Sequence, residues 1–207
     1  MSSNEAALSL STLNVSQLLA AFRSADPTPG GGSASALAGA IGASLLVMVA
    51  NLPKSRAATE EDARRLKRAG EECADRALDL ESFVDRDSDA YDLVMAAYKM
   101  PKATDEEKAA RSAAIQTAMR AAIEAPLAVI LACTGAAEHG EVIAALGNPS
   151  ASSDVKVGFE LLAAGLRGAK ENVEINLGSV KDPQYVAGIR EDVQALESRF
   201  ARSQRVV

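Results

Sequence analysis

Aromatic side chains are scarce in this chain: four Phe, three Tyr and no Trp among 207 residues. Strands of sandwiches and barrels use aromatic and β-branched residues to cover a pleated face, so the shortage argues against those folds. Histidine and cysteine are equally thin. His139 stands alone, and Cys73 and Cys133 lie far apart. That leaves too few ligands for a zinc site, and no metal is expected. The cysteines read as free thiols of a reducing compartment, with a disulfide as the unsupported alternative. Basic clusters are missing and the net charge is −6, which speaks against nucleic-acid binding. Residues 1–14 lack the charged and apolar blocks of a signal peptide, so a cytoplasmic protein is expected. Residues 27–53 carry no charge, long enough for a membrane span. They are rich in Gly, Ala and Ser, however, and read as a buried central helix rather than a span.

What the chain has in quantity is alanine, the strongest helix former. A core of small residues brings helices close together, so each buries modest area, and such chains often complete their cores by oligomerising. The length suggests one domain over 1–207. The pattern predicts an all-α antiparallel bundle of about six helices, one of them long.

The first helix is expected over 11–24, with Leu13, Leu18, Leu19 and Phe22 as its apolar stripe. The break at 26–32 is followed by a helix over 33–52. There Ser35, Gly39 and Ala43, and likewise Ala36, Ala40 and Ser44, fall four apart and admit a neighbouring backbone. The long helix covers 59–98. Its inward seam runs Leu66, Gly70, Cys73, Ala77, Leu80, Val84, Asp87, Tyr91, Val94 and Tyr98, spaced alternately four and three. The fourth helix begins at the capping box of Thr104 and Glu107 and runs to about 137, with Gly140 marking a loop. The fifth covers 153–177, with Gly158, Gly165 and Gly168 allowing contact on one side. The last opens at the N-cap Asp182 with Pro183 at N1.

One residue breaks the seam. Asp87 is a carboxylate at a packing position, where lost hydration raises its pKa and poises it for proton transfer. The alternative is a structural Asp held by a hydrogen bond, or a seam that opens to water there. The run Pro27-Thr28-Pro29-Gly30-Gly31-Gly32-Ser33 enters a helix, and exposed N–H groups at such an end suit an anion. A tight turn with Ser33 as N-cap is the plainer reading, and no Gly-Lys-Ser/Thr makes it a phosphate loop. Asn172 and Asn176 share one helix face and could read a heterocycle edge or bond between helices. Asn148, Ser152 and Asp154 sit in the loop and cap before that helix. His139 reads as a helix-end cap. Lys102 in the turn after Met100-Pro101 reads as solvated, with a substrate carboxylate as the other possibility.

Six segments in order resemble a known family. They are 27–34 (PTPGGGSA), 48–52 (MVANL), 84–91 (VDRDSDAY), 100–108 (MPKATDEEK), 147–154 (GNPSASSD) and 168–177 (GAKENVEINL). The chain resembles the cyclodeaminase/cyclohydrolase family, which holds bacterial methenyltetrahydrofolate cyclohydrolases and the C-terminal domain of formimidoyltransferase-cyclodeaminase. The resemblance implies an all-α fold that forms a homodimer. It implies Asp87 as the catalytic proton acceptor. It also implies a folate pocket drawn from Pro29, Gly30, Gly31, Gly32, Ser33, Tyr91, Lys102, Asn148, Asp154, Asn172 and Asn176, with no cofactor beyond tetrahydrofolate as substrate.

The expected reaction is hydrolysis of 5,10-methenyltetrahydrofolate. It is favoured over formimidoyltetrahydrofolate cyclodeamination because no formimidoyltransferase domain accompanies the segments. A non-catalytic binding module and a purely structural dimer are the other classes. The chain departs from the family at 53–59 (PKSRAAT), where the folate enzymes carry a Thr and then a Gly-Lys/Arg stretch ending in Tyr or Phe. That leaves open a different grip on the pterin or glutamate tail, or a ligand other than folate.

Overall fold

The computed structural model describes residues 9–207; the first eight residues of the segment read for a signal peptide lie outside them. It contains six α-helices and, among the described residues, no strand: α1 Val15–Phe22, α2 Gly31–Asn51, α3 Glu60–Tyr98, α4 Asp105–Leu146, α5 Ser152–Leu177 and α6 Pro183–Gln204. Short 3-10 turns at Leu10–Thr12 and Pro149–Ala151 precede α1 and α5.

Local chemistry sets the boundaries. Thr59 and Thr104 cap α3 and α4 by accepting from the Asp62 and Glu107 amides, and Glu107 reaches back to the Thr104 N–H. Three acidic residues follow each cap, where the helix dipole favours them. Asp182 caps α6 through the Gln184 and Tyr185 amides, with Pro183 at N1.

The contacts give the topology. Along α2, the residues at positions 42, 39, 35 and 31 meet α5 at 158, 165, 168 and 172 in turn, so the two helices run antiparallel. The same holds for α2 and α3, where Gly32 meets Asp87, Gly39 meets Leu80 and Gly70 meets Ala50. α4 runs alongside α2 in the same direction, since Gly39 touches Cys133 and Gly140 touches Leu46. Paired ions tie α6 on: Arg199 to Glu138 of α4, and Lys170 and Glu174 of α5 to Glu197 and Arg190.

One buried cluster draws on α2 to α6 and has Leu46, Ile123, Ile130, Phe159 and Leu162 at its centre. α2 and α4 are long and apolar enough to cross a membrane, but here both are core helices, α2 packed between α3 and α5.

The small-residue faces work as their spacing suggests. A Cβ on Gly42 would stand 2.7 Å from the Gly158 carbonyl oxygen, and one on Gly165 2.7 Å from that of Ser35. Backbone therefore touches backbone along the α2–α5 seam.

Several expectations are corrected. The first helix is split, because the Asn14–Gln17 capping box starts α1 afresh after the 3-10 turn. Of its stripe only Leu18 is buried, and Leu19 lies half exposed. Gly140 is no loop: α4 continues to Leu146, and the glycine makes room for the Phe159 ring, which a Cβ would approach to 2.8 Å. His139 is consequently inside the helix, 3.8 Å from Glu72, and caps nothing. The α3 seam is buried through much of its length but ends at an exposed Tyr98, whose ring lies under the Arg111 guanidinium. Ser33 is not the N-cap; Gly30 is, and Ser33 is buried as the third helical residue.

The backbone contact at Gly42 makes a stability prediction. Gly42→Ala should destabilise by about 1–3 kcal/mol through overpacking. Gly188→Ala, with nothing within 4 Å, should instead gain roughly 0.5–1 kcal/mol. Urea unfolding midpoints measure both. Equal gains from the two changes would contradict the contact.

Candidate active site

Asp87 sits where α3 passes the first turn of α2. An ideal Cβ on Gly32 would lie 2.0 Å from its Oδ1 and 2.6 Å from its Oδ2. No side chain larger than hydrogen fits at that position without moving the carboxylate. Burial pushes the Asp87 pKa up, opposed by the Ser33 N–H that faces it. Among the described residues no Lys, Arg or His pairs with it. Asp87 is therefore a half-buried carboxylate without a counter-ion, held against a helix N-terminus.

Beside it opens a cavity of about 360 Å³. α2 and the turn before it contribute Thr28, Gly30 and Gly31; α3 contributes Asp87 and Tyr91; α5 contributes Asn172 and Asn176. Val94, Met119 and Ala122 close it on the apolar side. Adjacent residues of one turn thus contact both polar walls: Gly31 faces Asn172, 3.5 Å from its Nδ2 to the ideal Cβ position, and Gly32 faces Asp87. The peptide before Pro29 is cis. Pro29 lines a neighbouring hollow with Asp85, Ser88, Asp89 and Asp92.

In that hollow burial raises the Asp85 pKa, but hydrogen bonds from the Ser9 hydroxyl and the Leu10 N–H, which anchor the start of the described chain, together with Ser11 outweigh it and hold the carboxyl below its ordinary value. A larger cavity of about 420 Å³ between α1, α2 and α3 is lined almost wholly by apolar side chains, with Glu81 the one charged group. It has no set of polar groups that could do chemistry. Among the described residues no cluster of three or more His, Cys, Asp or Glu could hold a metal ion. Burial lifts the Cys73 and Cys133 thiols to about 12, far from a reactive thiolate.

The family model described as formiminotransferase-cyclodeaminase matches residues 14–195. The chain belongs to the formiminotransferase-cyclodeaminase family. Within it, the methenyltetrahydrofolate cyclohydrolase of Methylorubrum extorquens is 37% identical over 91% of this chain and 89% of its own length. The formimidoyltransferase-cyclodeaminase of Sus scrofa is 33% identical over 81% of this chain, which spans 31% of that longer protein. The formiminotetrahydrofolate cyclodeaminase of Thermotoga maritima superposes with a TM-score of 0.83 at 26% identity, covering 94% of this chain and 93% of that one.

Set on this family fold, the residues singled out in the sequence separate into two groups. Gly30, Gly31, Asp87, Tyr91, Asn172 and Asn176 line one cavity, with Gly32, Ser33 and Pro29 against its edge. Asn148 and Asp154 lie elsewhere. Asp154 is in the first turn of α5, 18 residues before Asn172, or about 27 Å along the helix. Asn148 donates to the Pro53 carbonyl and caps the 3-10 turn with its Oδ1. Lys102 is exposed in the turn between α3 and α4, outside the cavity lining.

The 53–59 departure also lies at this far end, where the Arg56 N–H bonds the Leu146 carbonyl. α2 spans 21 residues, so the departure is about 30 Å from Asp87 within one chain. Within one chain it therefore lies outside the lining of the Asp87 cavity. Met119 and Ala122 of α4 carry no sequence signal as lining residues, because nothing marks which apolar members of a helix face a cavity rather than the core.

The site's electrostatics set a sign for stability. Because folding raises the Asp87 pKa, the native state binds the proton more tightly than the unfolded chain, and stability falls as pH rises through that window. Asp87→Asn should thus be more stable than the parent above the raised pKa and equal to it at acid pH, where both states are protonated. Thermal melts across pH measure this. A variant less stable than the parent at neutral pH would contradict an uncompensated buried carboxylate.

Proposed function

We propose that this chain hydrolyses 5,10-methenyltetrahydrofolate to 10-formyltetrahydrofolate in the cavity beside Asp87. The observation that carries the reading is the counter-ion-free carboxylate of Asp87 at a cavity, in a chain that matches a methenyltetrahydrofolate cyclohydrolase over nearly its full length. The substrate is a cation, and its charge offsets the burial that disfavours ionised Asp87.

Asp87 acts as general base. Water attacks the amidinium carbon while its proton passes to the carboxylate, giving a neutral tetrahedral intermediate. The bond from that carbon to N5 then breaks. Asp87 returns its proton to N5, the hydroxyl proton leaves to solvent, and the carbonyl of the formyl group remains on N10. The net reaction releases one proton. Gly32 keeps the carboxylate in place, the Ser33 N–H steadies its charge, and Tyr91, Asn172 and Asn176 bound the substrate's space.

The Thermotoga neighbour favours a second reaction on the same scaffold, cyclodeamination of formimidoyltetrahydrofolate with loss of ammonia. There the same carboxylate carries the proton to the departing nitrogen. The two readings separate by substrate. Decay of methenyltetrahydrofolate absorbance above a buffer blank, slowed about a hundredfold or more in Asp87→Asn and also in Gly32→Ala, supports the first. Ammonia release from the formimidoyl compound with no methenyl turnover supports the second. Full activity in Asp87→Asn would overturn both.

On this reading the chain works as one domain, in the cytoplasm, with folate as its substrate and no further cofactor, and as a homodimer. The dimer contact we assign to the outward stripe of α2. Ala34, Ile41 and Met48 are spaced seven apart and exposed on a helix without a single charge. A two-fold pairing of this stripe with its copy would cover it. The pair Ile41→Glu and Met48→Glu should then sediment as a folded monomer where the parent sediments as a dimer. A monomeric parent would contradict the assignment.

A further inference from the structure

The two asparagines of the cavity are oriented by the protein itself. Asn172 donates from Nδ2 to the Gly168 carbonyl at 2.9 Å, and Asn176 donates from Nδ2 to the Ala122 carbonyl at 2.8 Å. A carbonyl oxygen can only accept, so each amide must turn its nitrogen to that partner. The two Oδ1 atoms are left over. Among the described residues no group donates to either of them, although both side chains line the cavity. Asp87 adds a carboxylate on the opposite wall. Each amide keeps one further Nδ2–H, but the Oδ1 atoms and the Asp87 carboxylate are the unfilled acceptors whose placement is fixed in this cavity, and the apolar wall of Val94, Met119 and Ala122 presents nothing polar. A ligand that fills it must bring donors, or bury those oxygens unpaired.

We propose that Asn172 and Asn176 select the substrate's ring by its donor edge, accepting from the 2-amino group and the adjacent N3–H of the pterin. This rests on the folate reading above and adds to it a specificity that Asp87 alone does not provide. The Gly168 and Ala122 carbonyls are the positioning groups. By fixing the amides they prevent a half-turn of either side chain, which would offer donors instead. A ring with an unprotonated nitrogen or an oxygen on that edge would set acceptor against acceptor at the two Oδ1 atoms and bind more weakly.

The test begins on the ligand side, with the unaltered protein. Calorimetry would compare 5-formyltetrahydrofolate with its 2-desamino and N3-methyl analogues. Each analogue should bind roughly ten- to a hundredfold more weakly, the effect of leaving a buried acceptor unpaired. In the double variant Asn172→Leu, Asn176→Leu, the parent ligand should fall to the analogues' level and the gap should close. Circular dichroism would check that this variant keeps its helices.

Analogues that bind the unaltered protein as tightly as the parent ligand overturn the inference without any mutation. So does a folded double variant that keeps the full discrimination. Turnover of methenyltetrahydrofolate measured on the same preparation separates the two levels. Turnover with no discrimination leaves the proposed reaction standing and removes this inference, whereas neither binding nor turnover removes both.

Discussion

The structure turns on one contact, the carboxylate of Asp87 pressed against Gly32 in the first turn of α2. That approach is possible only because position 32 has no Cβ. The approach is part of a longer pattern. α2 is a helix of small residues threaded between α3 and α5, with backbone touching backbone at Gly42 and Gly158 and at Ser35 and Gly165. A helix so narrow can bring its N-terminus up to a side chain of α3 and a side chain of α5 at once. Packing chosen for closeness thus also builds the two polar walls of the cavity.

That placement sets opposing forces on one group. Burial disfavours the charge on Asp87, while the Ser33 N–H and the positive end of α2 favour it. Burial wins, and among the described residues no cation pairs with the carboxylate to reverse it. A site left in this state gains most from a positively charged ligand, because only the ligand completes the charge balance. The residues involved are not a stability device. They cost the fold something at neutral pH, as functional sites often do.

Much of this was legible in the sequence, for definable reasons. The four-three spacing on α3 marks an inward seam, and Asp87 is conspicuous because it is the one charged residue on it. Thr104 and Asp182 mark helix starts because a cap is a local interaction among residues two or three apart. Gly158, Gly165 and Gly168 mark a contact face, and all three indeed meet α2. Other features depended on partners far along the chain. Gly140 looks like a break until Phe159 and Leu46 are seen against it, and His139 changes its surroundings with it. Asn148 lies just before α5 and Asp154 in its first turn, yet a straight helix carries Asn172 and Asn176 to the opposite end. The orientation of the asparagine amides depends on the Gly168 and Ala122 carbonyls, and the second of these lies 54 positions away.

The most direct test of this account is the titration of Asp87 itself. Its side-chain carboxyl can be labelled with carbon-13 and followed by NMR across acid and neutral pH in the ligand-free protein. The account predicts a midpoint above the ordinary aspartate value of about 3.9. A midpoint at or below that value would mean that the α2 N-terminus outweighs burial, or that water reaches the carboxylate freely, and would contradict the central claim.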